Sequence, residues 1–122
     1  MLFRSIVPPT AEEVIIIPFP YSDLSKSKRR PALISAEVGR ADFLFCQITS
    51  KQFGNLHALP LIQSDSVSGG INRDSLIGGA KLFTGSEALI LGVAGHLIHS
   101  KLAEVIGQLI EMLSSRLRDD TF

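Results

Sequence analysis

Four cations crowd into one short stretch of the chain: Lys26, Lys28, Arg29 and Arg30. The formal net charge of the protein is zero, so any binding of phosphate has to come from a local cluster such as this one. Arginine suits that task best, because its planar fork matches phosphate oxygens and keeps its charge. Pro31 cannot donate a hydrogen bond to a sheet, which predicts that it is the first residue of a strand. Arg30 would then stand at the strand's start, with the lysines in the loop before it.

A hydroxyl from a neighbouring strand is the natural complement to such an arginine. Thr49 lies near the end of a predicted strand, Asp42 to Ser50, in which Phe43 and Phe45 alternate with Leu44 and Cys46. We therefore predict that Thr49 completes a phosphate site with Arg30. Taken alone, a threonine at a strand end is more often an ordinary β-former.

The histidines suggest a metal site that the rest of the chain does not support. His96 and His99 have a spacing that could share a metal, but the sequence shows no third ligand near them. His57 is expected to be a plain surface residue on an edge strand. No glycine-rich phosphate loop, dinucleotide fingerprint or nucleophile elbow occurs, so we predict no cofactor and no metal.

Short strands and one terminal helix are the elements that must position these residues. β-Branched and aromatic runs separated by turn residues predict the strands, and the first is apolar enough to be buried on both faces. Gly39 marks a hairpin turn, Pro60 an edge strand, and the pair Gly78-Gly79 a bulge inside a strand. Residues 64–74 are predicted to be a loop and residues 92–95 a flexible connection. The predicted strands are Val14 to Phe19, Ala32 to Glu37, Asp42 to Ser50, Leu56 to Ile62, Leu76 to Thr84 and His96 to Ile98.

The C-terminal element is an amphipathic helix. Apolar residues recur at helical spacing from Leu102 to Leu117, Ser100 is a candidate N-cap, and the helix is expected to end near Arg116 to Arg118. Short antiparallel strands with this helix packed on them predict a mainly β, α+β fold, a small barrel.

Length and composition indicate one soluble domain. The chain has 122 residues, of which 45% are apolar and 20% charged. The lone Cys46, expected in the core, suits a reducing compartment, and neither a signal peptide nor a membrane span is evident, so the cytoplasm is the expected location. We predict an extension or a floppy end over residues 1–11, one domain over 12–118 and a tail over 119–122.

Three stretches together resemble one family. They are Pro18-Phe19-Pro20-Tyr21-Ser22-Asp23-Leu24 with Arg29-Arg30-Pro31-Ala32-Leu33-Ile34-Ser35, then Gln47-Ile48-Thr49-Ser50, then Lys81-Leu82-Phe83-Thr84. In this order they resemble the PemK/MazF toxins of bacterial type II toxin–antitoxin systems, over roughly residues 12 to 113. The first block is the most specific of the three.

The resemblance implies an SH3-like barrel and a metal-independent endoribonuclease that cuts single-stranded mRNA at short sequences and inhibits growth. It also implies a homodimer, an antitoxin partner, and binding of RNA or DNA. The family's recurrent active-site arginine and threonine fall on Arg30 and Thr49. The residues expected to contact RNA around them are Lys26, Lys28, Arg29 and Ser50.

Departures from the family pattern leave alternatives open. Glu12 and Glu13 stand where the family usually has Gly-Asp, and Gly78 and Ala80 where some members have Arg and Asp. No general base is therefore assigned. One alternative is a degenerate member that binds RNA, DNA or an antitoxin peptide without cutting. Another is a barrel scaffold with no nucleic-acid role.

Overall fold

The computed structural model of the chain describes residues 9–20, 27–49, 58–69 and 75–118. Within these ranges lie seven strands, two short 3-10 turns, at Gln63–Asp65 and Glu87–Leu89, and one helix. The strands are β1 (Glu13–Pro20), β2 (Ser27–Gly39), β3 (Asp42–Thr49), β4 (Ala58–Leu61), β5 (Ser66–Gly69), β6 (Ser75–Ser86) and β7 (Gly92–Leu97), and the helix is α1 (His99–Arg118).

The strands form one antiparallel sheet in the order β4-β6-β3-β2-β1-β7-β5, which curls into a half-barrel. This confirms the predicted fold class of a mainly β protein with a C-terminal helix. β4, which contains Pro60, lies at one edge of the sheet as predicted, where a missing N–H is tolerated.

The sheet is buried on both faces by two separate apolar clusters. One, the helix-side core, contains Val14, Leu33, Cys46, Ile48, Leu61, Ile77, Leu97, Leu102, Val105 and Leu109. The other, the far-side core, contains Ile15, Ile17, Ala32, Ile34, Phe43, Phe45 and Ile90. β1 contributes to both clusters, so the predicted two-face burial of the first strand is confirmed.

Helix α1 covers the helix-side core with Leu102, Val105 and Leu109. The prediction that Ser100 is its N-cap is wrong, because the helix already begins at His99. The carbonyl of Ile98 accepts the backbone N–H groups of Lys101, at 3.0 Å, and Leu102, at 3.3 Å. The helix therefore begins two residues earlier than an N-cap at Ser100 would imply.

A buried cation fastens the start of α1 to the first 3-10 turn. Lys101 is 7% exposed, and its Nζ lies 3.6 Å from Asp65 and 3.5 Å from Glu104. A lysine is rarely so buried without such partners. The contact with Asp65 holds the 3-10 turn and the helix together.

The prediction that a strand begins at Pro31 is wrong. β2 begins at Ser27, and Pro31 lies inside it, opposite Ile16 of β1. The paired residues of β2 and β3 begin only at Ala32, so Pro31 stands where that ladder ends. A proline is tolerated at such a place because the missing N–H has no partner to lose. Lys28, Arg29 and Arg30 consequently belong to a strand and not to a loop.

Two strands lie in segments that were expected to be irregular. β5 lies within the predicted loop 64–74, and β7 includes residues 92–95. Gly69 has φ +60°, and a Cβ added to it would lie 2.2 Å from the carbonyl oxygen of Ala94. Glycine is needed here because two strands approach each other closely, and not because the chain must be flexible.

The predicted bulge at Gly78-Gly79 is confirmed. Cys46 pairs with Leu82 and Ile48 with Ile77, so the single residue Gln47 of β3 faces four residues of β6. The predicted turn after Gly39 is also confirmed, since Arg40 and Ala41 connect β2 to β3 and Ala41 has φ 60°.

Cys46 is fully buried, as expected for a small core residue, and its Sγ lies 2.8 Å from the hydroxyl of Ser35. Burial raises the pKa of its thiol, which makes it a poor nucleophile. Across the part of the chain that the structure describes, no helix is long and apolar enough to cross a bilayer. The division into residues 1–11, 12–118 and 119–122 stays a prediction.

Candidate nucleic-acid interface

The register of β2 with β3 points Arg30 and Thr49 toward each other. Ala32 pairs with Gln47 and Leu33 with Cys46, and the same register continued by two residues places Arg30 opposite Thr49. Side chains directly opposite each other in an antiparallel pair have Cβ atoms about 5 Å apart. One phosphate group can be reached by both side chains at that separation.

Both residues project from the face of the sheet that carries the far-side core. Arg30 follows Ala32 and Ile34 at every second position of β2, and Thr49 follows Phe45 and Gln47 in the same way on β3. The apolar face therefore ends in a polar patch, here called the polar corner, which consists of Arg30, Gln47 and Thr49.

The electrostatics of the polar corner favour an anion. Arg30 and Thr49 are both half-buried, beside the fully buried Ile17 and Ala32. Within the described ranges no ion pair joins Arg30 to a carboxylate. A guanidinium at the border of an apolar surface is less screened by water, so it attracts phosphate more strongly there than at an open surface.

Of the other predicted RNA-contacting residues, only Arg29 has a side chain that can be placed relative to this corner. Arg29 is exposed and lies opposite Pro18 on β1, so its side chain leaves the sheet on the face opposite to that of Arg30. Lys28 belongs to β2, opposite Phe19. Lys26, Ser50 and His57 lie outside the described residues.

A cluster of Glu12, His96 and His99 was missed in the sequence. Glu12 Oε1 lies 3.3 Å from His96 Nε2, and Glu12 Oε2 lies 2.5 Å from His99 Nδ1. The carboxylate thus joins the residue before β1 to β7 and to the first residue of α1. No group of three or more His, Cys, Asp or Glu side chains in the described segments is arranged to hold a metal ion.

Glu12 also holds the backbone of this corner together. Its N–H donates to the carbonyl of Ile34, its carbonyl accepts from Leu97, and its φ is +80°. This left-handed conformation is costly for a residue with a Cβ. The family's usual glycine at this position is therefore explained by backbone geometry. The hydrogen bond with His99, followed by that with His96, lowers the pKa of the Glu12 carboxyl.

Two substitutions of Glu12 should separate its backbone strain from its charge. Both Glu12→Ala and Glu12→Gly remove the histidine contacts, but only glycine relieves the φ of +80°. We expect Glu12→Gly to melt roughly 5 °C above Glu12→Ala at every pH, measured by circular dichroism.

The difference in melting temperature between wild type and Glu12→Ala should instead depend on pH. A carboxyl whose folded pKa is lowered stabilises the protein above its usual pKa, about 4.3, and loses that effect as pH falls through the folded value. The difference should shrink between pH 6 and pH 3. Equal melting of the Ala and Gly variants would contradict the strain.

Comparison with known proteins gives a fold and no closer relative. No protein-family model matches the chain, and no curated protein matches it by sequence. The MazF-mt6 toxin of Mycobacterium tuberculosis superimposes with a TM-score of 0.64 at 17% identity, over 84% of this chain and 96% of that one. MazF in the MazE–MazF complex of Deinococcus radiodurans has a TM-score of 0.67 at 20% identity, over 88% of this chain and 98% of that one. The chain therefore has the fold of the MazF/PemK toxins.

Proposed function

We propose that this protein is the endoribonuclease toxin of a type II toxin–antitoxin system, acting in the cytoplasm on single-stranded mRNA at short sequences. The observation that carries the proposal is the register of β2 and β3 in a MazF-like sheet, which, continued by two residues beyond Ala32 and Gln47, places Arg30 and Thr49 opposite each other on one face. These are the two residues that the sequence resemblance names, and they come from different strands.

The chemistry asked of this pair is charge stabilisation. In metal-independent cleavage the 2′-oxygen of one ribose attacks the adjacent phosphorus, and the bond from phosphorus to the 5′-oxygen breaks. The products are a 2′,3′-cyclic phosphate and a 5′-hydroxyl. Arg30 would bind the non-bridging phosphate oxygens as negative charge develops, and the Thr49 hydroxyl would donate to the same group. Arginine keeps its proton too firmly to be the base, so proton transfer is assigned to neither residue.

Cleavage in the absence of metal tests this function directly. Purified protein is incubated with a mixed-sequence single-stranded RNA in EDTA, and both ends of each product are mapped. We expect cuts at a small set of short sequences, with the end groups given above, and arrested growth when the protein is expressed without its antitoxin. RNA that stays intact at all protein concentrations would refute the enzyme.

A second candidate is a relative that binds RNA without cutting it. It is favoured by Gly78 and Ala80, which stand in the bulged part of β6 where some relatives carry Arg and Asp. Salt-dependent RNA binding without any product after long incubation would favour this candidate. Failure to bind RNA at any salt concentration would favour a scaffold role instead.

The partner expected for the toxin is an antitoxin with an acidic, extended segment. One of the similar structures is that of a MazE–MazF complex. Arg30 at the polar corner and the exposed Arg29 offer charges that such a segment can meet. An antitoxin bound there would block the phosphate site by occupying it.

We propose that the toxin is a homodimer in which α1 contributes to the interface. Ile110, Leu113 and Leu117 form an apolar stripe, 58%, 65% and 75% exposed, along the helix surface that faces away from the core. Gly107, at the next turn, would meet nothing within 4 Å if it had a Cβ. Two helices paired antiparallel about Ile110 would bring Leu113 of each copy against Gly107 of the other.

A charge placed in the stripe should therefore separate the two copies. We expect wild type to have twice the 13.2 kDa of one chain by light scattering, and Leu113→Glu to have the mass of one chain with an unchanged circular dichroism spectrum. The control is Val38→Glu, a similarly exposed apolar residue at the far end of β2, which should stay dimeric. A dimeric Leu113→Glu would exclude this surface.

A further inference from the structure

We infer that Gln47 reads the nucleobase next to the phosphate bound by Arg30 and Thr49, through its side-chain amide, and that the base it selects is adenine. This inference rests on the proposed function and adds a specificity-determining residue to it. Gln47 enters the resemblance only as a member of the stretch Gln47-Ile48-Thr49-Ser50, with no role attached.

The position of Gln47 on the sheet supports this role. It lies two residues before Thr49 on β3 and on the same face, so its side chain emerges about 7 Å from that of Thr49. Its partner on β2 is the fully buried Ala32, so Gln47 lies at the border between the covered part of this face and the half-buried Arg30 and Thr49. A base flanking the bound phosphate would approach the amide from the side of Arg30 and Thr49.

The hydrogen bonding of Gln47 supports it as well. The side chain is half-buried, at the boundary of an otherwise apolar face. No hydrogen bond from its amide to any of the described residues is found. A half-buried amide without a partner is unfavourable unless a ligand or water satisfies it, and RNA would supply both a donor and an acceptor.

The described pairing of β3 with β6 is interrupted only at this residue. On the side of β6, Gln47 faces the four bulged residues 78–81, because the register jumps between Cys46 and Ile48. Bulges of this kind re-aim side chains and are over-represented beside functional sites. In the described pairing of β3 with β6, Gln47 is thus the only residue between the first and last pairs that has no directly opposed residue on β6.

The amide fits adenine, the base to which Asn and Gln side chains bind bidentately in DNA complexes. An amide offers one acceptor and one donor side by side, which match the N6 amino group and N7 of adenine. Unpaired bases in single-stranded RNA expose these edges to a protein. A carboxylate in the same place has acceptors only, so it would favour guanine, whose Watson–Crick edge carries two adjacent donors.

End-mapped cleavage of a random-sequence RNA pool tests the inference. Wild type should show adenine at one fixed position beside the cut, preferred roughly tenfold over the other bases. Gln47→Glu should lose that preference and shift toward guanine at the same position in the products that it forms, at a lower overall rate, because the added carboxylate repels the phosphate and competes for Arg30. Gln108→Glu, the same change at a half-buried position on α1, should keep the wild-type profile.

Failure of this inference is distinguishable from failure of the proposed function. If wild type cuts and all three proteins give the same base frequencies, Gln47 does not read a base, although the enzyme stands. If wild type does not cut, the enzyme fails, and base preference is measured instead as binding to short 2′-O-methyl oligonucleotides. An adenine preference that Gln47→Glu shifts would still support the reading of a base, whereas equal binding or no binding would overturn it.

Discussion

Arg30→Ala should lower the rate of RNA cleavage by at least about 100-fold while leaving the protein folded. Removal of one well-placed donor to developing negative charge typically costs this much. Arg30 is half-buried at the edge of the far-side core and outside the buried cluster itself, so its loss should change the melting temperature little. The cleavage rate of Arg30→Lys should lie between those of wild type and Arg30→Ala, because lysine keeps the charge and loses the planar fork. Single-turnover cleavage of a labelled RNA measures the three rates.

Arg29→Ala is the matched control for this series. Arg29 directly precedes Arg30, and its replacement by alanine removes the same charge. Its side chain, however, is exposed and leaves the strand on the opposite face. Its loss should reduce RNA affinity modestly, more at low salt than at high salt, and leave the rate at saturating RNA unchanged. Cutting by Arg30→Ala at the wild-type rate, or an equal defect in Arg29→Ala, would remove Arg30 from the active site.

The strand faces could be predicted from the sequence because burial follows simple alternation. Phe43 and Phe45 on one face and Cys46 and Ile48 on the other follow from a period of two residues. The same rule places Thr49 on the face of Phe45 once the strand is known. These faces can be predicted without knowing which strands pair with β3.

The register between β2 and β3 could not be predicted in this way. Counted back from the turn at Arg40 and Ala41, where Gly39 pairs with Asp42, an unbroken hairpin would place Arg30 opposite Lys51. Two irregularities, between Glu37 and Gly39 and between Ile34 and Ala36, each shift the pairing by one residue. Their sum brings Thr49 opposite Arg30. The residues left without a partner in this ladder, Ser35 and Val38, are neither glycine nor proline, so nothing in the sequence marks them as bulge positions.

The contacts of Glu12 were missed for a related reason. Its partners His96 and His99 lie 84 and 87 residues further along the chain. They meet because β7 pairs with β1 and delivers the chain to the start of α1. The spacing of the two histidines is visible in the sequence, whereas the acid between them depends on the sheet order. The sequence therefore suggested that His96 and His99 could share a metal ion, whereas in the fold they share the carboxylate of Glu12.

Phe45→Ala should be among the most destabilising single changes in this chain. Phe45 is fully buried in the far-side core, with its ring centre 5.1 Å from that of Phe83 and 6.3 Å from that of Phe43. Truncation of a buried phenylalanine removes its apolar contacts and leaves a cavity, which should lower the free energy of unfolding by about 3–5 kcal/mol. Urea denaturation followed by circular dichroism measures this loss.

Two further variants show whether the effect comes from packing at this position. Phe45→Leu keeps most of the apolar volume, so it should lose much less stability than Phe45→Ala. Val38→Ala truncates a side chain that is 52% exposed and should stay within about 0.5 kcal/mol of wild type. Because Phe45 lies on the same face as Gln47 and Thr49 without belonging to the polar corner, Phe45→Leu should cut RNA with the wild-type base profile. A Phe45→Ala protein as stable as wild type would show that this face of the sheet is not a core. Arg30 would then not lie at the border of an apolar core. The stronger attraction for phosphate expected at such a border would no longer be supported.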